Sequence, residues 1–389
     1  MSEAKSPGVH QVVQIIGWIL LTLALAGSAY QLLAVRQVHT LLGKPSCEPQ
    51  EPATGVTLLK PLHGAEPGLS DALGSFLAQD YAGPVQMVLG VQDPADSAQL
   101  VVGTLRQAFP DRDVVLVVNA AAHGENKKIS NIINMMEKSK HDIIVVSDSD
   151  IAVAPSYLRG VVAALEAPGV GVVTCAYRGK GVLGVWSRLS AMNISYQFLP
   201  SVAVGVGLGL AKPCMGSTIA LRREVLDAIG GFEAFANLLA DDYAIGAAVR
   251  AQGLSSVVAP GLVTHNCVEA NLAELIAHEL RWARTIRGVD PAGFFGSGVT
   301  HAFPLALLGL ILGGESAGGF ATLAIVLICR LLLMRQVDKV SGESAGGAWL
   351  MPFRDLLSFG VYLASFFVRA VDWRGVQFRV DAQGTLRRI

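Results

Sequence analysis

Ile143-Ile144-Val145-Val146-Ser147-Asp148-Ser149-Asp150 is the stretch whose reading decides the fold. An unbroken apolar β-forming run predicts a strand buried on both faces, as in a parallel sheet. The carboxylates of Asp148 and Asp150 are one residue apart, so at the C-terminal end of that strand they point the same way out of the sheet. Open α/β sheets bind ligands at such strand ends. Paired carboxylates there form the oxygen set of a hard divalent cation, which at such a place usually carries a diphosphate. Asp-x-Asp also occurs by chance in loops, so the triplet takes its meaning from its surroundings.

Upstream, from Gly55, apolar strands alternate with amphipathic helices. Strands are expected at Val56–Leu59, Gln86–Val91, Val114–Val118 and Asp142–Ser147, and helices at Leu69–Leu77, Asp96–Phe109 and Lys127–Lys138. This spacing implies a parallel sheet with helices on both faces and right-handed crossovers. Asp93, two residues past Val91, then shares the sheet edge of Asp148. G-x-x-x-x-G-K-[ST] does not occur, which removes the P-loop reading. Downstream, Gly169–Cys175 and Ser217–Leu221 read as strands, and Arg223–Ile229 and Tyr243–Gln252 as helices. Leu199–Ala211 (LPSVAVGVGLGLA) is too short and irregular to cross a bilayer, and reads equally as a buried loop or a membrane-dipping, acceptor-lining segment.

Of the 389 residues 52% are hydrophobic and only 16% charged, and the mean hydropathy is +0.47, too apolar for an ordinary soluble enzyme. The excess is concentrated at the ends. Val12–Val35 is long enough to span a bilayer. A second apolar region, His301–Met334, is interrupted by Gly313-Gly314-Glu315-Ser316 and reads as a hairpin. A third, Leu350–Val371, contains Pro352, Arg354 and Asp355 and reads as interfacial or re-entrant. The chain therefore divides into an anchor and linker (1–50), a globular α/β domain (51–295) and a membrane region with a basic tail (296–389). Arg36, His39 and Lys44 follow the first span and only Lys5 and His10 precede it, which places the middle domain in the cytoplasm. The basic end (Arg374, Arg379, Arg387, Arg388) asks for an even number of later crossings. A signal peptide cleaved after Ala24-Leu25-Ala26 fits less well, because the apolar run continues past that site. A net charge of −1 without a basic stripe gives no case for nucleic acid. Cys47, Cys175, Cys214, Cys267 and Cys329 form no C-x-x-C pair and read as reduced thiols.

Acidic and cationic stations recur in the order Asp93, Asp148/Asp150, Asp241-Asp242, Arg281-Trp282. Moving a sugar from a nucleotide diphosphate needs each kind: a carboxylate for uracil or ribose, a pair for Mg²⁺ or Mn²⁺, a base for the acceptor hydroxyl, and a guanidinium for phosphate oxygens beside a flat aromatic face. Singly, each has a structural explanation. Gln92-Asp93-Pro94 is a turn sequence, Asp241-Asp242 suits a helix cap, and Arg281, Arg284 and Arg287 suit a basic membrane-facing surface. Order and spacing together favour chemistry.

The chain resembles the ceramide glucosyltransferase family of membrane-anchored inverting glycosyltransferases. The resemblance runs through Lys60-Pro61-Leu62-His63-Gly64, Val91-Gln92-Asp93, Lys128-Ile129-Ser130-Asn131, Asp148-Ser149-Asp150-Ile151, Gly216-Ser217-Thr218, Arg222-Arg223, Gly230-Gly231-Phe232, Ala240-Asp241-Asp242-Tyr243, Arg281-Trp282 and Trp373-Arg374-Gly375. Within the bacterial branch it looks most like hopanoid-associated glycosyltransferases. The resemblance implies a GT-A-type, mostly parallel α/β domain with an N-terminal transmembrane helix and C-terminal membrane helices. It also implies a multi-pass protein of the bacterial inner membrane, a UDP-sugar donor, a lipid acceptor (ceramide or hopanoid polyol) and Mg²⁺ or Mn²⁺. Carried over by position, Asp93, Lys128, Asp148 and Asp241 bind nucleotide or substrate, and Asp148 and Asp150 hold the metal. Asp242 is the catalytic base, and Arg281 and Trp282 close the family's (Q/R)-x-x-R-W element. His278 replaces the Gln or Arg of that element and is expected to keep a diphosphate or acceptor contact through its one hydrogen. A channel-forming polysaccharide synthase would carry more spans, and a lipid carrier would not need the acidic stations.

Overall fold

The structure is a computed structural model that describes residues 7–43, 53–367, 370–373, 376–380 and 385–388. Lys5, Lys44, Cys47, Arg374 and Gly375 lie outside the described residues.

Helix α1 (Pro7–Leu42) leads into β1 (Val56–Pro61), α2 (Leu69–Leu77), β2 (Val85–Val91), α3 (Ala98–Ala108), β3 (Asp113–Val118), α4 (Lys127–Met136) and β4 (Ile143–Val146). Then follow β5 (Ile151–Ala152), α5 (Tyr157–Glu166), β6 (Val170–Gly181), α6 (Val185–Asn193), α7 (Leu199–Gly207), β7 (Ile219–Arg222), α8 (Arg223–Ala228), α9 (Asp241–Ala251) and β8 (Ser255–Cys267). Helices α10 (Leu272–Val289), α11 (Pro291–Gly296), α12 (Ala302–Leu312), α13 (Ala317–Ser341) and α14 (Met351–Ala364) complete the body, and β9 (Ala370–Trp373), β10 (Val376–Val380) and β11 (Leu386–Arg388) form a small antiparallel sheet.

The large sheet runs β3-β2-β1-β4-β7-β6-β8-β5. Its first half is parallel: β1 pairs β2 and β4, and β2 pairs β3. β7 enters antiparallel between β4 and β6, β6 returns to a parallel pairing with β8, and β5 closes the edge antiparallel. The apolar run of β4 is explained by two cores. Ile143 and Val145 face the layer of α2, α3 and α5, while Ile144 and Val146 face α4, α8 and α9. With both faces covered, every side chain of the strand leaves water.

A third cluster ties the membrane helices to this domain: Val38 and Leu41 of α1 and Leu333 and Val337 of α13 pack with Tyr196 and Leu199. Leu199–Ala211 is therefore not a buried loop. It is helical through Gly207, on from a π-helical turn at Ile194–Phe198, and exposes Leu208 and Leu210 beyond its end. Apolar residues on one side of Leu199–Gly207 have the α1–α13 cluster to bury against, so the segment gains more as a helix than as coil.

Among the described residues two helices, α1 and α13, are long and apolar enough to cross a membrane. Residues 291–300 and α12 add a third span if counted as one, bent by 61°. α12 and α13 form a hairpin against α1. Their closest approach requires glycine, since a Cβ on Gly17 would lie 2.4 Å from the Gly313 amide nitrogen.

Candidate active site

The C-terminal ends of the strands open into one cleft of about 830 Å³, lined by all nine residues singled out by sequence: Asp93, Lys128, Asp148, Asp150, Asp241, Asp242, His278, Arg281 and Trp282. Asp93 follows β2. One of its oxygens accepts from the Ala95 amide at 2.8 Å, so it is both the turn residue its Pro94 neighbour suggests and a cleft residue.

Asp148-Ser149-Asp150 leaves β4 over a buried lysine. Lys60 Nζ donates to Ser147 Oγ at 3.1 Å, to the Asp148 carbonyl at 2.6 Å and to the Ile151 carbonyl at 3.5 Å. It also sits 3.8 Å over the Phe76 ring. Burial pushes its pKa down to about 7, against the pull of Asp150 and Asp148. Lys60 thus fastens the backbone of the acidic loop from below.

Lys128, at the start of α4, is placed by Asn126, whose side chain caps that helix at Ile129 N (3.0 Å) and donates to Asp241 Oδ1 (3.2 Å). Its ammonium meets Asp148 Oδ1 at 2.8 Å and Asp241 Oδ2 at 3.5 Å. Burial opposes the charge, but Asp148, Asp241 and Asp242 outweigh it and raise the pKa. Asp241 and Asp242 occupy the first turn of α9 and do not cap it. Asp242 accepts from Gly216 N at 2.9 Å and Tyr243 N at 2.7 Å. Burial and the neighbouring Asp241 push its pKa up to about 6, with Lys128 opposing. A carboxylate raised into this range suits general-base work near neutrality.

Asp150 is differently placed. Its Oδ2 lies 3.6 Å from His265 Nε2, and its Oδ1 is buried without a hydrogen-bond partner. An orphaned anionic oxygen facing a cleft fits a hard cation. Among the described residues no three His, Cys, Asp or Glu side chains converge on one metal position. Mg²⁺ is commonly held by one or two carboxylates and completed by phosphate and water. Asp148 contributes to such a site only through what its contact with Lys128 leaves free.

α10 begins with a reciprocal cap, in which Asn271 Oδ1 accepts from Glu274 N at 3.0 Å and Glu274 Oε2 from Ala270 N at 2.8 Å. It carries His278, Arg281 and Trp282 along the cleft. The Trp282 ring stands edge-on to His278 at 4.5 Å and to His265 at 5.8 Å.

The profile of glycosyl transferase family 21 matches residues 18–386. The chain belongs to this family. Its relatives include ceramide glucosyltransferase 1 of Caenorhabditis elegans, 21% identical over 87% of this chain and 74% of that protein. An N-acetylglucosaminyltransferase of Rhizobium leguminosarum bv. viciae is 24% identical over 60% of this chain but only 56% of its own length. Among solved structures, the mannosyltransferase PcManGT of Pyrobaculum calidifontis, in complex with GDP-Man and Mn²⁺, superposes with a TM-score of 0.53 at 19% identity, covering 90% of this chain and 98% of that one. The family 21 chain is thus a glycosyltransferase with a GT-A-type fold and helices long enough to span a membrane.

Two cleft-region residues escape the sequence reading. His265, near the end of β8, faces Asp150, and Glu269 lies behind His278, with Oε1 2.5 Å from His278 Nδ1 and 3.0 Å from Ser190 Oγ. Neither has a spacing signature. The contact to Glu269 occupies His278 Nδ1 inside the protein.

Proposed function

We propose that this enzyme moves a hexosyl or N-acetylhexosaminyl group from a UDP-sugar to the hydroxyl of a membrane lipid, of the ceramide or hopanoid-polyol kind, with inversion at the anomeric carbon. One observation carries the reading. A single cleft holds the acidic and cationic residues at the strand ends, and α10, which forms its wall at His278, Arg281 and Trp282, packs against α11 and α14 of the membrane region. Donor and lipid can then meet at one place.

In this reading Asp93 and Lys128 bind the nucleotide, Asp241 keeps Lys128 charged and in place, and Asp148 reaches the ribose side. Asp148 and Asp150 are the residues that would hold Mg²⁺ or Mn²⁺, which when bound offsets the charge of the diphosphate. Asp242 accepts the hydroxyl proton as the acceptor oxygen bonds to the anomeric carbon. The bond from that carbon to the diphosphate oxygen breaks in the same displacement, and its electron pair leaves with UDP. Arg281 binds phosphate oxygens, and Trp282 gives the sugar or lipid a flat apolar face. The ceramide glucosyltransferase and N-acetylglucosaminyltransferase relatives support both sugar classes, and resemblance to hopanoid-associated enzymes supports the second acceptor. The basic residues after the first span support a bacterial inner-membrane protein with its catalytic domain in the cytoplasm.

The test is UDP release by the purified protein with UDP-glucose or UDP-N-acetylglucosamine, Mn²⁺, and ceramide or a hopanoid polyol, with mass spectrometry of the lipids. Lipid-dependent release that stops with EDTA, with a glycosylated lipid formed, is expected. No lipid-dependent release from either donor would overturn the reading.

A further inference from the structure

Position 278 departs from the Gln or Arg of the resembled family element, and the structure shows what the histidine brings. Nδ1 of His278 lies 2.5 Å from Glu269 Oε1, which also accepts from Ser190 Oγ at 3.0 Å. Glu269 is buried, and His278 lines the cleft. Burial works to raise the Glu269 pKa, but the hydrogen bond from His278 lowers it, while burial lowers that of His278 against the pull of Glu269. Both shifts favour a carboxylate beside a neutral ring.

A neutral imidazole has one N–H and one lone pair. An ionised carboxylate only accepts, so the hydrogen is on Nδ1, and Nε2 presents a lone pair to any ligand. A phosphate oxygen is itself an acceptor and gains nothing from that lone pair. The negative charge of Glu269 behind the ring makes the spot poorer still for an anion. A hydroxyl group, which can donate, fits it.

Resting on the sugar-transfer reading above, we propose that the Glu269–His278 pair recognises a substrate hydroxyl. His278 Nε2 accepts a hydrogen bond from a hydroxyl of the donor sugar or of the lipid acceptor, and Glu269 is the positioning residue that fixes the tautomer. The diphosphate is left to Lys128 and Arg281. Histidine backed by glutamate serves an alcohol.

The experiment compares His278→Ala, His278→Gln and Glu269→Gln in the full-length protein, measuring UDP affinity by calorimetry and KM for donor and for lipid separately. His278→Ala and Glu269→Gln are expected to raise one KM about tenfold, the worth of one hydrogen bond. UDP affinity stays within about twofold, which also shows that the cleft is folded. His278→Gln, whose carbonyl can accept, recovers most of the loss. A shift in lipid KM assigns the acceptor hydroxyl, and a shift in donor KM the sugar hydroxyl. The proposal is overturned if UDP affinity falls as donor KM rises, if neither KM moves, or if His278→Gln is no better than His278→Ala. Should Glu269→Gln not fold, the two His278 variants decide alone. Failure of the sugar-transfer reading is distinct, because the unmodified protein would then release no UDP with any lipid.

Discussion

Asp242 holds its proton more tightly than an ordinary aspartate because its carboxyl is largely shielded from water beside Asp241, with Lys128 only partly compensating. Its pKa of about 6 fixes the direction of a pH effect. A base acts as the carboxylate, so kcat should be level above about pH 7 and fall about tenfold per unit well below pH 6. Asp242→Asn should lower kcat at least about a hundredfold, remove that acid limb and leave UDP binding near normal. A variant with near-normal turnover would take Asp242 out of the base role. That Asp93 and Asp148 share one sheet edge was legible from the alternation of strands and helices, and the family resemblance supplied the other cleft residues. His265 and Glu269 were not legible. A single histidine in a strand and a single glutamate before a helix gain meaning only from the Asp150 and His278 they face.

Among the elements, α10 shows how a site can be held from its far side. Glu279, next to His278, turns into the interior and takes both guanidinium nitrogens of Arg354 on α14, at 2.7 and 2.6 Å. Arg354 also reaches Ser358 and the Leu189 carbonyl. Replacing Arg354 with methionine leaves a buried carboxylate unpaired, which costs about 3–5 kcal/mol. Arg354→Met should therefore lower the melting temperature in detergent and reduce kcat as α10 loosens. An added Glu279→Leu removes the stranded charge and should restore most of the thermal stability. If Arg354→Met melts like the unaltered protein, the pair does not hold α10. The early strands and helices were legible because their periods are regular. β8 was not, because Pro260-Gly261 reads as a turn. In the sheet these two residues are extra ones opposite the Cys175–Ala176 step, with Gly261 at φ 94°, so the strand bulges and continues to His265.

Across the whole molecule, polarity is reversed among the C-terminal helices. Arg330 of α13 forms two bonds to Asp355 of α14, at 3.1 and 2.7 Å, so the charges of α14 face inward. Its outward side carries Phe353, Leu356 and Leu363, and is flanked by exposed Trp349 (77%) and Phe367 (84%). Buried ion pairs behind an exposed apolar face are costly in water and favourable against lipid. The apolar bias of Leu350–Val371 was legible in sequence, but the inward turn of Arg354 and Asp355 was not, since their partners lie on other helices. With 14 residues, α14 is too short to span a hydrocarbon core of about 30 Å, so it should lie in the interface with Arg287 of α10 beside Phe366 at its edge. Spin labels at Phe353→Cys and Leu363→Cys in liposomes should then be reached by dissolved oxygen and shielded from a water-soluble nickel chelate. A label at Gln99→Cys on α3, on the catalytic domain, should show the opposite. Equal exposure of all three labels to the chelate would place α14 in water and remove the support that its packing on α10 gives to a lipid reaching the cleft.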